Sequence, residues 1–455
     1  MGGTAASQVL LFAAAPVLTR LYSPDDFGLL ALYAALLGIG GVVVSLRYQL
    51  AIPLPEDEHE AASVAMAALM AVAGTVVVSG VLVVFLGEPV AGGLNAPELG
   101  PYLWLLPVGL LALGFYQVFK YWAIREKDFA PIARSKVTQS VTAIALQLGL
   151  YPLGPLALLL GQAAGHGAGG GRLAKAALAG RLPLFRSVTP RSMWAAAVRY
   201  RRFPLYSTWG AAFNKVGWNL PALALAPLFS PAVAGIYLLT HRVLVTPQSF
   251  IGQAVGQVFF SRAAEAHRSD ELGELVRKLV SRLALIGLPP ALAVVIVGPQ
   301  LFDFVFGGQW RQAGEFARWM APWLFLVFLT SPLSTLFSVL ERQAEEMAFQ
   351  GTLLGARTLA LLGGAAIGDE LVAVACYALV NAAGYAFLLA WIGRRSGAGV
   401  RAIAGAVGWA TVGATIIVMP LGLASVLPFG TVEIFICGTL TVALYAFSNR
   451  SLLPT

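Results

Sequence analysis

Four cations stand inside long apolar stretches of this 455-residue chain: Arg47, Lys215, Arg242 and Arg357. A charge at that depth in hydrocarbon is costly and turns towards a partner or a wet cavity. No carboxylate lies at comparable depth: every Asp and Glu falls in a gap or within a turn or two of a stretch's end, Asp303 and Glu433 intruding furthest. The partner these cations call for is therefore an anion the chain does not carry, and a phosphate-bearing ligand fits that chemistry. The same absence argues against an ion-coupled exporter of cationic drugs, which needs a buried carboxylate. Polar neutrals accompany the cations: Gln117, Gln139, Gln147, Gln162, Asn214, Asn219, Gln248, Gln253, Gln257 and Asn381, with Tyr116, Tyr206, Trp209 and Trp218. Amides and aromatic faces suit sugar recognition, and equally serve as interhelical hydrogen bonds and interface anchors.

Other reactive residue types form no constellation. Cys376 and Cys437 both fall in apolar stretches and read as small buried packers. His59 and His267 lie in polar loops, and His166 and His241 in apolar stretches without a second ligand at metal spacing, so neither a metal site nor a cofactor is expected. The run Gly165-His166-Gly167-Ala168-Gly169-Gly170 matches the dinucleotide fingerprint by letters, but no strand precedes it. Gly161, Gly165 and Gly169, spaced by four, instead mark a face where a neighbouring helix comes close. His166 is expected to be a packed or cavity-wall polar group.

The elements that must hold these residues are helices in a membrane. Apolar residues make up 58% of the chain and charged ones 11%, with a mean hydropathy of +0.77, where a soluble domain carries roughly 25% charge. Stretches of about 20 to 28 apolar residues each cross a hydrocarbon core of about 30 Å. Candidate spans are 3–19, 26–51, 60–86, 100–123, 130–152, 154–178, 203–229, 232–260, 279–305, 317–340, 346–367, 371–393, 401–425 and 430–448. The fold class is all-α, polytopic, with about fourteen transmembrane helices, or twelve if weak pairs fail to insert. The first span has no basic segment before it, which argues against a cleaved signal peptide.

With the N-terminus in the cytoplasm, basic residues crowd the even gaps: Arg125, Lys127, Arg134 and Lys136, the run from Arg172 to Arg202, Arg262 to Arg282, Arg342, Arg394 to Arg401, and Arg450. Arg20 and Arg311 lie in the odd gaps. The positive-inside rule then assigns both ends to the cytoplasm, and topology explains the net charge of +8 without nucleic acid. The segment 263–278, with Leu272, Leu275 and Leu279 near helical period, is expected to form a short amphipathic helix on the inner surface. No gap is long enough for a separate catalytic domain.

A repeat divides the chain. Leu18 to Gly28 (LTRLYSPDDFG) and Leu225 to Gly235 (LAPLFSPAVAG) align at an offset of 207, sharing leucines, an aromatic, Ser-Pro and a glycine. Six spans separate the copies, so the two halves keep one orientation and are related by an axis along the membrane normal. The organisation expected is a first lobe over 1–180, a basic cytoplasmic linker over 181–202, a second lobe over 203–394 and two additional helices over 395–455. Lys215, about 12 residues and roughly 18 Å after Phe203, falls near the midplane. Arg242 falls at similar depth in the next span, and Arg47 nearer the inner end of the second.

LTRLYSPDDFG, Leu46-Arg47-Tyr48-Gln49-Leu50-Ala51-Ile52-Pro53-Leu54-Pro55, Phe203-Pro204-Leu205-Tyr206-Ser207 and the run Phe250 to Phe260 together resemble Wzx-type polysaccharide biosynthesis proteins. These belong to the multidrug/oligosaccharidyl-lipid/polysaccharide exporter superfamily. The resemblance covers the chain from first span to last, and departs at the start, where relatives carry a basic cytoplasmic segment. It implies a flippase of the bacterial inner membrane, with two six-helix lobes forming a V and two appended helices. Such a protein moves an undecaprenyl-diphosphate-linked oligosaccharide, destined for O-antigen, capsule or exopolysaccharide, to the periplasmic leaflet. On this reading Arg20, Arg47, Lys215 and Arg242 face the substrate, with Arg357 a further candidate. Expected partners are the lipid-linked oligosaccharide, membrane lipids, and a polysaccharide polymerase and chain-length regulator. The competing readings are a small-molecule exporter and a membrane polymerase or ligase; the latter wants a large, charged outer loop, and the outer gaps are short and nearly uncharged.

Overall fold

The computed structural model describes residues 2–426 together with Thr441 and Tyr445. The expected span 430–448, Cys437, Arg450 and the side chains of Tyr206, Asn214, Gln253 and Gln257 lie outside the described residues. By packing the chain divides into two units, residues 1–238 and 239–455. The described residues are helical with no strand.

The first unit holds α1 (Gly2–Leu21), α2 (Pro24–Val43), α3 (Glu58–Gly93), α4 (Leu105–Arg125), α5 (Ala130–Gly149), α6 (Pro155–Leu178), α7 (Leu182–Arg186), α8 (Pro190–Arg199), α9 (Thr208–Leu228) and the start of α10 (Pro231–Arg268). The Ser-Pro signals open helices. Ser23 caps α2 by accepting from Asp26 N at 3.2 Å while Ser23 N donates to Asp26 Oδ2 at 2.9 Å, with Pro24 at the first helical position. Ser230 accepts from Val233 N at 3.4 Å ahead of α10.

The glycines of the repeat carry a reciprocal contact. A Cβ on Gly28 would overlap the backbone of Pro231, and a Cβ on Gly235 would overlap that of Pro24 and Gly28. Two equivalent segments that touch each other through the same residues in exchange have the geometry of a local two-fold axis. The glycine stripe on α6 behaves as its spacing predicts: a Cβ on Gly165 would lie 2.9 Å from Gln139 O of α5, and one on Gly161 2.8 Å from Ala143 O. Buried polar bonds tie the same region, with Tyr22 Oη donating to Gln147 O at 2.5 Å and Gln147 Nε2 to Leu158 O at 3.2 Å.

One detail differs from the sequence expectation here. The second span does not run unbroken to residue 51: α2 ends at Val43, Leu46 and Arg47 take left-handed backbone (φ 49° and 64°), and a 3₁₀ turn follows over Tyr48–Ala51. Left-handed non-glycine residues cost about 1–3 kcal/mol each, and persist where surrounding contacts over-determine them. The basic segment that follows α6 forms α7 and α8. It packs back on the unit through Arg199 to Glu60 (2.6 Å), Arg181 to Glu126 (2.5 Å), and Tyr48 Oη to Ala197 O (3.1 Å).

The second unit continues α10 and adds α11 (Leu272–Phe306), α12 (Arg311–Thr330), α13 (Leu336–Val339), α14 (Gln343–Ala365), α15 (Glu370–Arg395) and α16 (Val400–Val426). The surface helix expected over 263–278 is instead divided between the last turns of α10 and the first of α11. Leu272, Val276 and Val280 face a core shared with Phe325, Phe328 and Ile392, so this stripe is buried against protein.

The α11 helix breaks at Val297 (φ −115°, ψ 17°), two residues before Pro299. Proline lacks the N–H that would bond the carbonyl four residues earlier, Val295. Arg318 of α12 supplies the donor, Nε reaching Val295 O at 2.9 Å and Nη2 reaching Ile296 O at 3.1 Å. In hydrocarbon every backbone polar group needs such a partner, and this cation is absorbed by that need.

Among the described residues, six helices are long and apolar enough to cross a membrane by length and composition. Side chains such as Val84 and Phe85 of α3 and Trp409 of α16, each at least 75% exposed, present hydrocarbon outwards as lipid-facing residues do.

Candidate functional site: a cationic cavity in the first unit

The helix break after α2 positions Arg47. Its Nε donates to Ser207 Oγ at 3.4 Å, beside a π-helical turn over Phe203–Ser207 that leads into α9. Two residues on, Gln49 turns inward. Ser45 Oγ donates to Gln49 Oε1, Gln49 Nε2 to Gln117 Oε1 at 3.2 Å, and Gln117 Nε2 to Gly41 O at 2.8 Å. This relay ties the turn to α4 and to the last turns of α2, so the strained backbone is held by satisfied amides.

Arg47 thereby faces a cavity of about 490 Å³ whose wall also carries Lys120, Lys215, Gln49, Gln117, Gln162, Tyr121 and His166. Lys215 enters from α9 and lies across Gly38 of α2: a Cβ there would sit 3.0 Å from its Cε and 3.7 Å from its Nζ. Glycine leaves the room the ammonium occupies. Lys120 enters from α4. Its Nζ lies 5.1 Å from the Tyr121 ring centroid, within the range of a cation–π contact.

Behind the wall, Lys136 Nζ lies 5.1 Å from the ring centroid of Tyr116, which in turn lies 6.5 Å from that of His166. The buried His166 Nδ1 and Tyr116 Oη have no hydrogen-bond partner among the described residues. Among the described residues no carboxylate lines the cavity, and none of Arg47, Lys120 and Lys215 forms an ion pair. The arrangement can do one thing well: hold a multiply charged anion between three cations, with amides and an aromatic ring beside it.

Of the residues singled out from sequence, Arg47 and Lys215 meet in this cavity, with Gln117, Gln162 and His166. Arg242 does not line it; it sits half-buried in α10 in the second unit, next to His241. Arg20 is exposed in the last turn of α1. Arg357, midway along α14, turns Nε onto Leu353 O of its own helix at 3.3 Å. Lys120 is the residue sequence reasoning missed. It lies three residues from the inner end of the expected span 100–123, where a lysine passes for an interfacial charge. The available signal was that Gln117 stands one turn before it on the same face.

A profile for the family described as polysaccharide biosynthesis protein matches residues 17–315. The chain belongs to that family. Over 241 residues it is 25% identical to the lipopolysaccharide biosynthesis protein WzxC of Escherichia coli (strain K12), covering 51% of this chain and 46% of WzxC. The chain thus spans about half the length of that curated relative. Among solved structures, the lipid II flippase MurJ in an inward closed conformation aligns over 99% of both chains at a TM-score of 0.74 and 10% identity. An inward-facing multidrug resistance MATE family transporter of the MOP superfamily aligns over 88% of this chain and 96% of its own at 0.63 and 16% identity. At these identities the likeness is one of fold. This family member is a multi-pass membrane protein with the helical architecture of MurJ and MATE transporters.

Proposed function

We propose that the protein is a flippase of the inner membrane, carrying a polyprenyl-diphosphate-linked oligosaccharide from the cytoplasmic to the periplasmic leaflet by alternating access. The observation that carries this reading is the cavity of the first unit, where Arg47, Lys120 and Lys215 converge without a carboxylate. A disubstituted diphosphate holds two negative charges at neutral pH. Fixed cations replace the hydration it loses, while the Gln162 amide on the same wall offers both a donor and an acceptor to sugar hydroxyls. The family membership supports a role in polysaccharide biosynthesis. In this mechanism Arg47 meets the head group first and Lys120 and Lys215 share its charge inside the cavity; Arg242 is a separate candidate cation within the second unit. Arg20 and Arg357 stand outside the proposed route.

The test is reconstitution in vesicles with a short-chain polyprenyl diphosphate sugar, its leaflet position read by an impermeant glycan-modifying reagent. The wild-type protein should equilibrate the lipid across the bilayer. Lys120→Met, Lys215→Met and Arg47→Gln should each slow exchange tenfold or more while inserting normally. Exchange no faster than in protein-free vesicles, together with transport of an organic cation, would overturn the reading in favour of a small-molecule exporter.

A further inference from the structure

The second unit contains an apolar cavity of about 620 Å³ between α14 and α15 that the flippase reading does not use. The two helices meet near Gly364, where a Cβ would lie 2.6 Å from Ala373 Cα. The cavity lies towards their other ends, between residues 345–356 and 380–391. Small side chains on its wall, Ala348 and Ala356 of α14 and Ala383 and Gly384 of α15, leave the space open, and Phe349 and Phe387 line it with aromatic rings. Phe387 is 61% exposed, so the slot opens outwards. An apolar slot opening on the outer surface of a membrane helix pair meets lipid chains as its solvent. Its span along α14, about eleven residues or roughly 16 Å, matches half of a hydrocarbon core of about 30 Å, which is the depth of one leaflet.

The mouth of the slot is charged. The Glu345 carboxylate accepts from Trp391 Nε1 at 2.6 Å, from Arg395 Nη2 at 3.1 Å and from Arg342 Nη1 at 3.1 Å. Just outside the expected span 346–367, Glu345 is held below the usual carboxylate range, first by the Trp391 hydrogen bond and then by the charges of Arg395 and Arg342, against opposing desolvation. Two guanidinium groups therefore face the Glu345 carboxylate and keep further N–H donors that a phosphate could take up, with the exposed Arg394 beside Arg395 and the acids Glu341 and Glu346 flanking in sequence. The Trp391 ring, stacked on Phe337 at 4.3 Å, stands where the apolar wall meets these charges, a place tryptophan favours at membrane interfaces. Arg342, Arg394 and Arg395 all belong to gaps the positive-inside rule assigns to the cytoplasm, where anionic lipids gather against basic clusters.

We propose that this slot binds one anionic phospholipid of the inner leaflet, an acyl chain lying between α14 and α15 and the phosphate resting on Arg342 and Arg395. Binding at this site is independent of what the first-unit cavity carries.

The purified full chain in neutral detergent is titrated with phosphatidylglycerol and with phosphatidylcholine of identical chains, and bound lipid is counted by native mass spectrometry. One phosphatidylglycerol per chain should be retained at least tenfold more tightly than phosphatidylcholine. Arg342→Ala combined with Arg395→Ala should bring the two lipids level, and Ala383→Trp, which fills the slot, should release both. Ala356→Phe fills the same space from the opposite helix and replaces Ala383→Trp if that variant is not monodisperse. Equal retention of the two lipids by the wild type, or retention of phosphatidylglycerol by both slot-filling variants, would overturn the proposal. So would displacement of phosphatidylglycerol by farnesyl diphosphate, which assigns the slot to an isoprenoid tail, or a dimer that Ala383→Trp dissociates, which assigns it to a second copy of the chain.

Discussion

Replacing Gly38 with leucine should close the cationic cavity without unfolding the protein. Gly38 lies within α2, where exchanging glycine for a good helix former gains about 0.8 kcal/mol of helix propensity. The new Cβ would meet Lys215 Cε at 3.0 Å, and this neighbour is the far end of a flexible side chain, which can swing aside at little cost. The ammonium then moves away from any bound phosphate. At an effective dielectric constant of about 20, a unit pair is worth about 4 kcal/mol at 4 Å and about 2 kcal/mol at 8 Å. The difference, about 2 kcal/mol, corresponds to roughly 30-fold in affinity. The assay is calorimetric titration of the purified protein with a farnesyl-diphosphate-linked sugar, beside a thermal unfolding scan, with Gly38→Ala as an intermediate case. A leucine variant that binds within twofold of wild type, at unchanged Tm, would show that Lys215 does not meet the ligand. A collapse of Tm would show instead that the packing around Gly38 is tighter than the Lys215 contact implies.

Two further expectations concern the scaffold. Gly28→Leu places a side chain where the backbone of Pro231 already stands, and backbone cannot step aside as a lysine tip can; the overpacking should cost about 1–3 kcal/mol or more, read as loss of monodisperse protein on size-exclusion chromatography, with Gly235→Leu behaving alike because the contact is reciprocal. Arg318→Leu removes two charged hydrogen bonds to Val295 O and Ile296 O, each worth about 1.5–3 kcal/mol. Its Tm should fall by several degrees while affinity for the diphosphate sugar is unchanged, and an unchanged Tm would refute the capping role.

Much of the fold is legible in the sequence because its causes are local. Hydropathy marks the helices, since a span of given length and polarity has little choice in hydrocarbon. Ser-Pro at 23–24 and 230–231 marks helix starts through capping and the fixed φ of proline. The spacing of Gly161, Gly165 and Gly169 marks the face on which α5 lies close. The 207-residue repeat names both partners of the Gly28 and Gly235 crossing, though only packing shows that they touch. Where the sequence reading departs from the structure, the cause is tertiary. Leu46 and Arg47 take left-handed backbone with no glycine to announce it, because the Ser45, Gln49, Gln117 and Gly41 hydrogen bonds hold the turn. The leucines at 272–279 have the period of a surface helix, and the period alone does not say whether protein or lipid head groups cover them.

The sequence by itself determined that the chain is an all-helical membrane protein, that its interior cations outnumber any carboxylate at their depth, and hence that an anion is the ligand to look for. Those conclusions follow from residue type and depth, which a linear pattern records. Tertiary structure decided which cations share one space. Depth along a helix is readable from residue number, but the direction a side chain takes around the helix axis depends on what packs beside it. That is why Arg47 and Lys215 converge on a cavity wall that Lys120 completes, while Arg318 is spent on the carbonyls of a broken helix and Arg357 on its own.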